Sequence, residues 1–358
     1  MMRIDKKIPG GNVVVQSISL NEAVLSKEMR GTSGTWFYWK FRAAFDRAGD
    51  YRFRFVDGAS IGSRGAAFSL DEGLTWSWTG QASADFAHES FAYHADSACQ
   101  AWFCVCIPYM ESDLARFLAN VSIEKGELCR SRCGRGVELL KIGSGSKVVF
   151  LTSRHHAQES MATYAMEGML REIVEHPEDF KDFTLYAVPF MDKDGVENGD
   201  QGKNRQPRDH ARDYGDNPIY PEVNAAMKLI RNVQPRFVFD MHCPWLRSNC
   251  NEYVYFVGQK NPRLQEGIDR FSAILERHAP ASFPYHSSDN MPYGTSWNTG
   301  ANYTQGSPLV PWCGDLPWKP HAQSIEIPFA NCREVTLDAD AARLFGVALA
   351  KSMREFLS

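Results

Sequence analysis

The chain has 358 residues, of which 44% are hydrophobic and 23% are charged, a composition typical of a globular protein with more than one domain. Its formal net charge of −4 gives no electrostatic reason to expect nucleic acid or an anionic membrane as a partner. No apolar run approaches the roughly 18 residues of a membrane span, and residues 1–11 do not resemble a signal peptide. We therefore expect a cytoplasmic protein whose nine cysteines, an odd number, are reduced.

Residues 1–108 are rich in aromatic side chains arranged in short alternating runs. The clearest run, Tyr51–Phe55, places three aromatic side chains on one face of a strand and two arginines on the other. Runs at 36–41 and 74–78 are similar, and turn residues such as Asp57-Gly58 separate them. No segment here has a 3.6-residue period. These features predict an antiparallel β-sandwich domain over residues 1–108 without a long helix.

From residue 109 onward, short apolar runs alternate with segments of helical period. This pattern predicts a second domain over residues 109–358, an α/β fold in which a mostly parallel or mixed sheet is flanked by helices. The predicted strands cover residues 147–152, 183–190, 236–241, 253–257 and 324–329. The predicted helices cover residues 113–118, 160–174, 221–232, 262–278 and 340–356.

Candidate metal ligands stand where predicted strands end. His156 and Glu159 lie between a predicted strand and a predicted helix, and His242 ends another predicted strand. Two imidazoles and one carboxylate form an open three-ligand zinc site with a fourth position free for water and substrate. Glu326, on a third predicted strand, is a candidate general base. Together these residues predict a zinc hydrolase rather than a structural metal site.

The segment from Asp192 to Asp216 is unusually polar. Its 25 residues include five Lys or Arg, seven Asp or Glu and almost no hydrophobic side chain. A long polar loop inside a compact domain is usually functional or disordered. Because charges of both signs are mixed here directly after a predicted strand, we interpret the segment as a binding loop.

Several motifs resemble those of the zinc metallocarboxypeptidases, specifically the cytosolic carboxypeptidases, which carry an N-terminal β-sandwich. The resemblance extends over most of the chain, although Ala157-Gln158 replaces the Pro-Gly that is usual in this subgroup. It implies one zinc ion held by His156, Glu159 and His242, with Glu326 as the base. The matching segments are Pro108-Tyr109 with Asp113-Leu114, His156-x-x-Glu159, residues 190–196, residues 239–242 and residues 324–327.

The resemblance also implies two arginines, for which two assignments compete. The family uses one arginine to polarise the scissile carbonyl and an Asn-Arg pair to hold the terminal carboxylate of the substrate. Asn204-Arg205 preserves that dipeptide, whereas Arg212 has the expected distance from Gly195 but follows Ala211. We prefer Arg212 as the carboxylate clamp and Arg205 as the polarising residue, because both arginines then have a role. Asn204 and Tyr303 are further candidates for substrate binding.

These assignments predict a zinc metallocarboxypeptidase whose substrate is the C-terminus of a peptide or protein. The sandwich is expected to pack beside the mouth of the catalytic site, where it could limit substrate size. One alternative is a zinc amidohydrolase that acts on N-acyl amino acids or another amide. A second alternative is a non-catalytic zinc-containing binding module, although such a module has no need of Glu326. The sequence does not indicate an oligomeric state.

Overall fold

A computed structural model describes residues 2–34, 36–304 and 306–358. Two five-stranded sheets face each other in the first part of these residues, with the orders β1-β4-β10-β6-β7 and β2-β3-β5-β9-β8. The strands are β1 (Met2–Asp5), β2 (Val14–Ile18), β3 (Glu22–Ser26), β4 (Lys40–Phe45), β5 (Gly49–Phe55), β6 (Ala67–Ser69), β7 (Ser77–Trp78), β8 (Ala84–Asp85), β9 (Ser90–Ala95) and β10 (Cys99–Cys104). A three-residue 3-10 turn at Gln81–Ser83 is the longest helical segment among the described residues of this sandwich.

Every strand pair in the sandwich is antiparallel except β3–β5. That pair is parallel because the chain passes through β4, in the opposite sheet, between the two strands. The predicted antiparallel sandwich is confirmed, with this one parallel pair as the exception.

Aromatic side chains from both sheets fill the sandwich core. Trp39 and Phe91 stack with ring centroids 5.5 Å apart, and Phe53 contacts Phe91 at 4.9 Å and Phe103 at 5.1 Å. Each such pair contributes ~0.5–1.5 kcal/mol beyond the burial of its area. The predicted strand at 36–41 begins only at Lys40, since the three residues before it are all buried and do not alternate between core and solvent.

The second domain is built on a seven-stranded mixed sheet within the described residues, with the order β11-β12-β14-β13-β15-β17-β16. Strands β13, β14, β15 and β17 are parallel, and the outer strands pair antiparallel. The strands are β11 (Glu124–Arg130), β12 (Gly136–Gly143), β13 (Lys147–Ser153), β14 (Phe183–Val188), β15 (Phe237–His242), β16 (Tyr255–Phe256) and β17 (His321–Glu326), followed by a small hairpin of β18 (Asn331–Cys332) and β19 (Val335–Thr336).

Helices cover both faces of this sheet, so the predicted α/β class with a preceding sandwich is confirmed. One face packs against α2, α5 and α7, and the other against α4 and α6. The helices are α1 (Glu111–Leu118), α2 (Ser160–Glu175), α3 (Lys193–Asn198), α4 (Pro221–Val233), α5 (Pro262–His278), α6 (Leu309–Gly314) and α7 (Ala339–Phe356). None of the helices in the described residues is long and apolar enough to span a membrane.

Helices α2 and α7 pack so closely that two glycines are required at their crossing. A Cβ on Gly168 would lie 2.0 Å from the carbonyl oxygen of Arg343, and one on Gly346 would lie 2.0 Å from that of Ala165. Real Cβ atoms do not approach backbone atoms this closely. The crossing presses α2 against the sheet and so holds the N-terminus of this helix at the edge where the candidate ligands lie.

Candidate active site

The candidate ligands and base meet at one edge of the second sheet. Strands β13, β15 and β17 run parallel, so their carboxyl ends share that edge, which is where ligands bind in open α/β sheets. His242 ends β15 and stands directly opposite Glu326, the last residue of β17. His156 lies in the turn between β13 and α2, and Glu159 is the N-cap residue of α2.

The three predicted ligands converge on the Glu159 carboxylate. The Nδ1 of His156 lies 2.9 Å from Oε1 of Glu159, and the Nδ1 of His242 lies 2.8 Å from Oε2. One ligand atom of each residue lies within 4.8 Å of the other two. Glu159 is fully buried, which by itself would raise the pKa of its carboxyl, but His156, Lys203 and His242 outweigh burial and hold the pKa well below its usual range.

A second layer of acids orients both imidazoles. The Nε2 of His242 lies 3.0 Å from Oδ2 of Asp240, and the Nε2 of His156 lies 3.7 Å from Oδ2 of Asp209. Asp240 is held in turn by Thr152 Oγ1 at 2.8 Å. Metal-binding histidines usually contact a carboxylate or carbonyl through the nitrogen that does not bind the metal. Both Nδ1 atoms are therefore directed toward the Glu159 carboxylate.

His155, the histidine next to His156 in the chain, belongs to this supporting layer. Its Nδ1 lies 2.9 Å from Oδ1 of Asp240, and its Nε2 lies 2.7 Å from the hydroxyl of Tyr214. The ring of His155 stacks behind that of His242, with centroids 5.7 Å apart. It completes a second possible ligand group with Asp240 and His242. In that arrangement Asp240 would have to leave the Nε2 of His242, so we assign His155 to orienting Asp240.

The donor set fits zinc. Two imidazole nitrogens and one carboxylate oxygen are common catalytic zinc ligands, and three protein ligands leave one position for water. All three residues are at most 7% exposed, so the site is shielded from bulk solvent. Asp240 supplies an outer hydrogen-bond acceptor to His242 of the kind that such sites require, and Asp209 places a second carboxylate near His156.

The ligand turn is held by Arg154, a residue that the sequence did not single out. Its Nε donates to the carbonyl oxygen of Ala157 at 2.7 Å, and its Nη1 donates to that of Tyr109 at 2.9 Å. Arg154 is buried and has a φ of 62°, a left-handed conformation that is uncommon for a side chain of this size. These bonds hold the turn between His156 and Glu159 in place.

Glu326 lies beside the ligands with one oxygen unused. Its Oε2 has no hydrogen-bond partner among the described residues, and the same is true of the hydroxyl of Tyr255, its neighbour on β16. Burial raises the pKa of Glu326; Lys203 opposes this shift and Glu159 adds to it. A buried carboxylate with a free oxygen is suited to accept a proton from water.

His156, His242 and Glu326 line one cavity of about 310 Å³. The sandwich contributes Trp36 to its wall, where the indole packs against Trp245 with ring centroids 4.9 Å apart. The sandwich thus lies at the site, as expected. Other lining residues include Lys203, Asn204, Arg212, Pro244, Tyr255, Val257, Gln259, Trp297, Tyr303, Val310, Pro311 and Ser324.

The two candidate arginines have different surroundings. Arg212 lines the cavity, where its Nε donates to the carbonyl oxygen of Asn302 at 3.3 Å and its guanidinium lies 5.2 Å from the ring centroid of Tyr303. Across the described residues, no carboxylate forms an ion pair with Arg212. Arg205 is not among the described residues that line the cavity. Its guanidinium pairs with Asp192 and, at 3.0 Å, with Asp200.

Asn204 and Tyr303 both line the cavity, as does Lys203, which was not predicted as a site residue. The hydroxyl of Tyr303 donates a hydrogen bond to Oδ1 of Asn298 at 2.7 Å, so its proton is already used in this structure. Lys203 places its Nζ 2.9 Å from Oε1 of Glu159. The sequence signal for Lys203 was weak, because it is one of five Lys or Arg residues in the segment from 192 to 216. Only the neighbouring dipeptide Asn204-Arg205 matched a family motif.

Curated proteins with similar sequences are cytosolic carboxypeptidases. The chain is 26% identical over 217 residues to cytosolic carboxypeptidase 2 of Xenopus tropicalis, covering 53% of this chain and 22% of that protein. It is 24% identical over 239 residues to cytosolic carboxypeptidase 6 of Caenorhabditis elegans, covering 59% of this chain and 52% of that protein. The chain therefore spans roughly a fifth to a half of the length of these relatives. No protein-family model matches the chain.

Solved structures agree over nearly the whole chain. A metallo-carboxypeptidase from Burkholderia cenocepacia superposes with a TM-score of 0.80 at 19% identity, covering 99% of this chain and 98% of that one. A metallo-carboxypeptidase from Pseudomonas aeruginosa, solved in complex with (2-guanidinoethylmercapto)succinic acid, gives 0.79 at 19% identity and covers 99% of each chain.

The fold is therefore that of the metallo-carboxypeptidase structures, over the sandwich as well as the second domain. Within this class, the sequence is related to that of the cytosolic carboxypeptidases. The family resemblance predicted from the motifs is confirmed, and His156, Glu159 and His242 form a group that could hold a metal ion.

Proposed function

We propose that this protein is a zinc-dependent carboxypeptidase that hydrolyses the C-terminal peptide bond of peptides or proteins. The observation that supports it most strongly is the meeting of His156, Glu159 and His242 beside Glu326 at one sheet edge. A structural metal site would be closed by a fourth protein ligand, whereas this site has three and opens into a cavity. Arg212 lines the same cavity with its guanidinium unpaired by any carboxylate of the described residues.

In the proposed reaction, His156, Glu159 and His242 would hold the zinc ion, which would supply a Lewis acid and lower the pKa of a bound water molecule toward ~7. Glu326 accepts the proton of the attacking water and later passes it to the leaving amine. Asp240 and Asp209 place carboxylates beside the two histidines and so orient their rings. Trp36 and Trp245 shield one side of the cavity from solvent.

Arg212 binds the terminal carboxylate of the substrate in this proposal. A guanidinium offers two parallel N–H donors that match a carboxylate, which an ammonium cannot reproduce. Its hydrogen bonds to the carbonyl oxygens of Asn302 and Ala211 use two of the five N–H groups of the guanidinium and leave the others available. Asn204 and Tyr303 line the same cavity and complete the proposed substrate contacts.

The test is zinc-loaded protein assayed on matched peptides with a free or an amidated C-terminus and on N-acyl amino acids. We expect release of single C-terminal residues from the free-acid peptides, no release from the amidated ones, and loss of activity on chelation that zinc restores. The compound bound in the Pseudomonas structure, a derivative of the dicarboxylic acid succinic acid, is a suitable competitive inhibitor to try.

The same panel separates the rival functions. Cleavage of N-acyl amino acids alone would overturn the carboxypeptidase proposal in favour of an amidohydrolase, and no cleavage by fully loaded zinc protein would favour a binding module. A cytoplasmic location, which the names of the relatives suggest, is part of the same proposal and is tested by fractionating cells that express the chain.

A further inference from the structure

Lys203 is the one ammonium group among the described residues that line the cavity, where Arg212 is the one guanidinium. Its Nζ lies 2.9 Å from Oε1 of Glu159 and 3.4 Å from the carbonyl oxygen of Cys243. The same nitrogen lies 5.5 Å from the ring centroid of Trp36. The ammonium therefore stands between a candidate metal ligand and the aromatic wall of the cavity.

The backbone around Lys203 is shaped to hold it there. Gly202 has a φ of +81°, and a Cβ at this residue would lie 2.2 Å from the backbone nitrogen of Ala157 in the ligand turn. Only glycine permits so close an approach, and it places the following side chain beside Glu159. On the other side, Gln201 exchanges two hydrogen bonds of 2.7 Å with the backbone of Tyr38 in the sandwich.

Residues that follow Lys203 are anchored to the sandwich as well. The carbonyl oxygen of Asn204 accepts a hydrogen bond from the backbone nitrogen of Ser33 at 3.0 Å, and the backbone nitrogen of Gln206 donates to Gly31 at 2.7 Å. Both domains therefore fix the position of this lysine. A solvated lysine on a loop would show no such anchoring.

A counterion role alone does not account for the position of Lys203. The Glu159 carboxylate already contacts the Nδ1 atoms of His156 and His242, which are the nitrogens that would face a metal. An ammonium group has three N–H donors, and Glu159 and the Cys243 carbonyl use two of the Lys203 donors. The third remains for a group that enters the cavity.

We propose that Lys203 is the catalytic residue that stabilises the negative charge developing on the carbonyl oxygen of the scissile amide. This is the role we expected of Arg205, whose guanidinium pairs with Asp192 and Asp200 instead. The inference rests on the proposed amide hydrolysis and applies equally to a peptide or an N-acyl amino acid.

The step balances with groups already named. Water adds to the carbonyl carbon while Glu326 takes one of the protons of that water. The carbonyl π electrons move to the oxygen, and the free N–H of Lys203 donates a hydrogen bond to that oxygen. The carbonyl then re-forms as the C–N bond breaks, and the proton held by Glu326 goes to the departing nitrogen. The charge that Lys203 meets is largest in the transition state, so the interaction accelerates turnover more than it aids binding.

The test compares Lys203→Met and Lys203→Arg with Lys228→Met, a matched control because Lys228 is exposed on α4. Bound zinc, kcat, KM and the inhibition constants of a tetrahedral phosphonate and of the reaction product are measured for each. For K203M we expect kcat to fall by about 10²–10³, the cost of losing one oxyanion donor. We expect the phosphonate to bind more weakly by a similar factor, KM and product binding to change little, and zinc to stay at one ion per chain.

Three results would overturn this assignment. Loss of zinc in K203M would mean that Lys203 only holds Glu159. A rise in KM without a fall in kcat would make it a ground-state binding group, and unchanged kinetics would remove it from the mechanism. K203R is expected to recover part of the activity because it keeps the charge.

Two further outcomes are that K203M does not fold and that the wild-type protein cleaves no amide. If K203M does not fold, Lys203→Gln replaces it and is compared with K203R, because both keep hydrogen-bond donors and only arginine keeps the charge. A kcat of K203Q equal to that of K203R would then overturn the assignment. Wild-type protein that binds zinc but cleaves no amide would overturn the proposed function itself, whatever the Lys203 variants do.

Discussion

The inner and outer ends of the cavity differ in how their charges are paired. At the inner end, Glu159 meets His156, His242 and Lys203, and Asp240 meets two histidines. At the outer end, Arg212 contacts two backbone carbonyls and an aromatic ring but forms no ion pair with the described residues. Buried charges are expensive to leave unpaired. The inner end is therefore organised before substrate arrives, whereas the outer end has a cation available for an anionic group of the substrate.

The inner end is best tested by replacing the proposed base, Glu326, with a side chain of the same shape. We expect Glu326→Gln to lower kcat by about 10²–10⁴, the usual contribution of a general base, with zinc still bound. Glu266→Gln, on the exposed face of α5, is the matched control and should leave both quantities unchanged. Steady-state kinetics and metal analysis decide the outcome. Zinc loss in E326Q would make Glu326 a ligand, and unaltered turnover would remove it from the mechanism.

The second prediction concerns the acids that orient the histidines. Asp240→Asn should weaken zinc binding by about 10–100-fold, because the Nε2 of His242 loses its carboxylate partner and the imidazole is no longer held in one tautomer. Competition against a chelator of known affinity measures this directly. Asp216→Asn, an exposed neighbour of the same segment, serves as the control. Equal zinc affinity in D240N and wild type would show that the second layer adds nothing to the site.

The third prediction addresses the outer end. Arg212→Lys should raise KM for free-acid peptides by about tenfold, or ~1.4 kcal/mol, since one of two hydrogen bonds to a charged group is lost. Its kcat should change little, because the carboxylate is bound equally in ground and transition states. Kinetics on free-acid and amidated peptides provide the measurement.

Arg205→Lys is the comparison variant for that experiment. Because the Arg205 guanidinium bridges Asp192 and Asp200, we expect the change to lower the free energy of unfolding by about 1–3 kcal/mol and to leave kcat of the folded protein nearly unchanged. A selective fall in kcat for R205K would restore the polarising role first expected of Arg205. It would also contradict the assignment of that role to Lys203.

Much of the fold was predictable, because the spacing of apolar residues along the sequence indicates which face of a helix or strand is buried. Helix α5 begins and ends at Pro262 and His278 as predicted, and β13 starts at the predicted residue. The strand β11 was not predicted, since most of its residues are exposed and it pairs at the sheet edge, where neither face needs to be apolar. Its partner β12 was also missed. An exposed edge strand such as β11 gives no apolar signal until its neighbour is known.

For the site, the sequence by itself determined which residues could be ligands and base. His242 and Glu326 end apolar strands, and His156 and Glu159 stand between a strand and a helix, so their position at one sheet edge follows from parallel pairing. Only the tertiary structure decided which cations face the cavity. Within a polar segment no periodicity directs a side chain. The contact between Gln201 and Tyr38, 163 residues apart, and the close approach of Gly202 to the ligand turn bring Lys203 in and leave Arg205 outside.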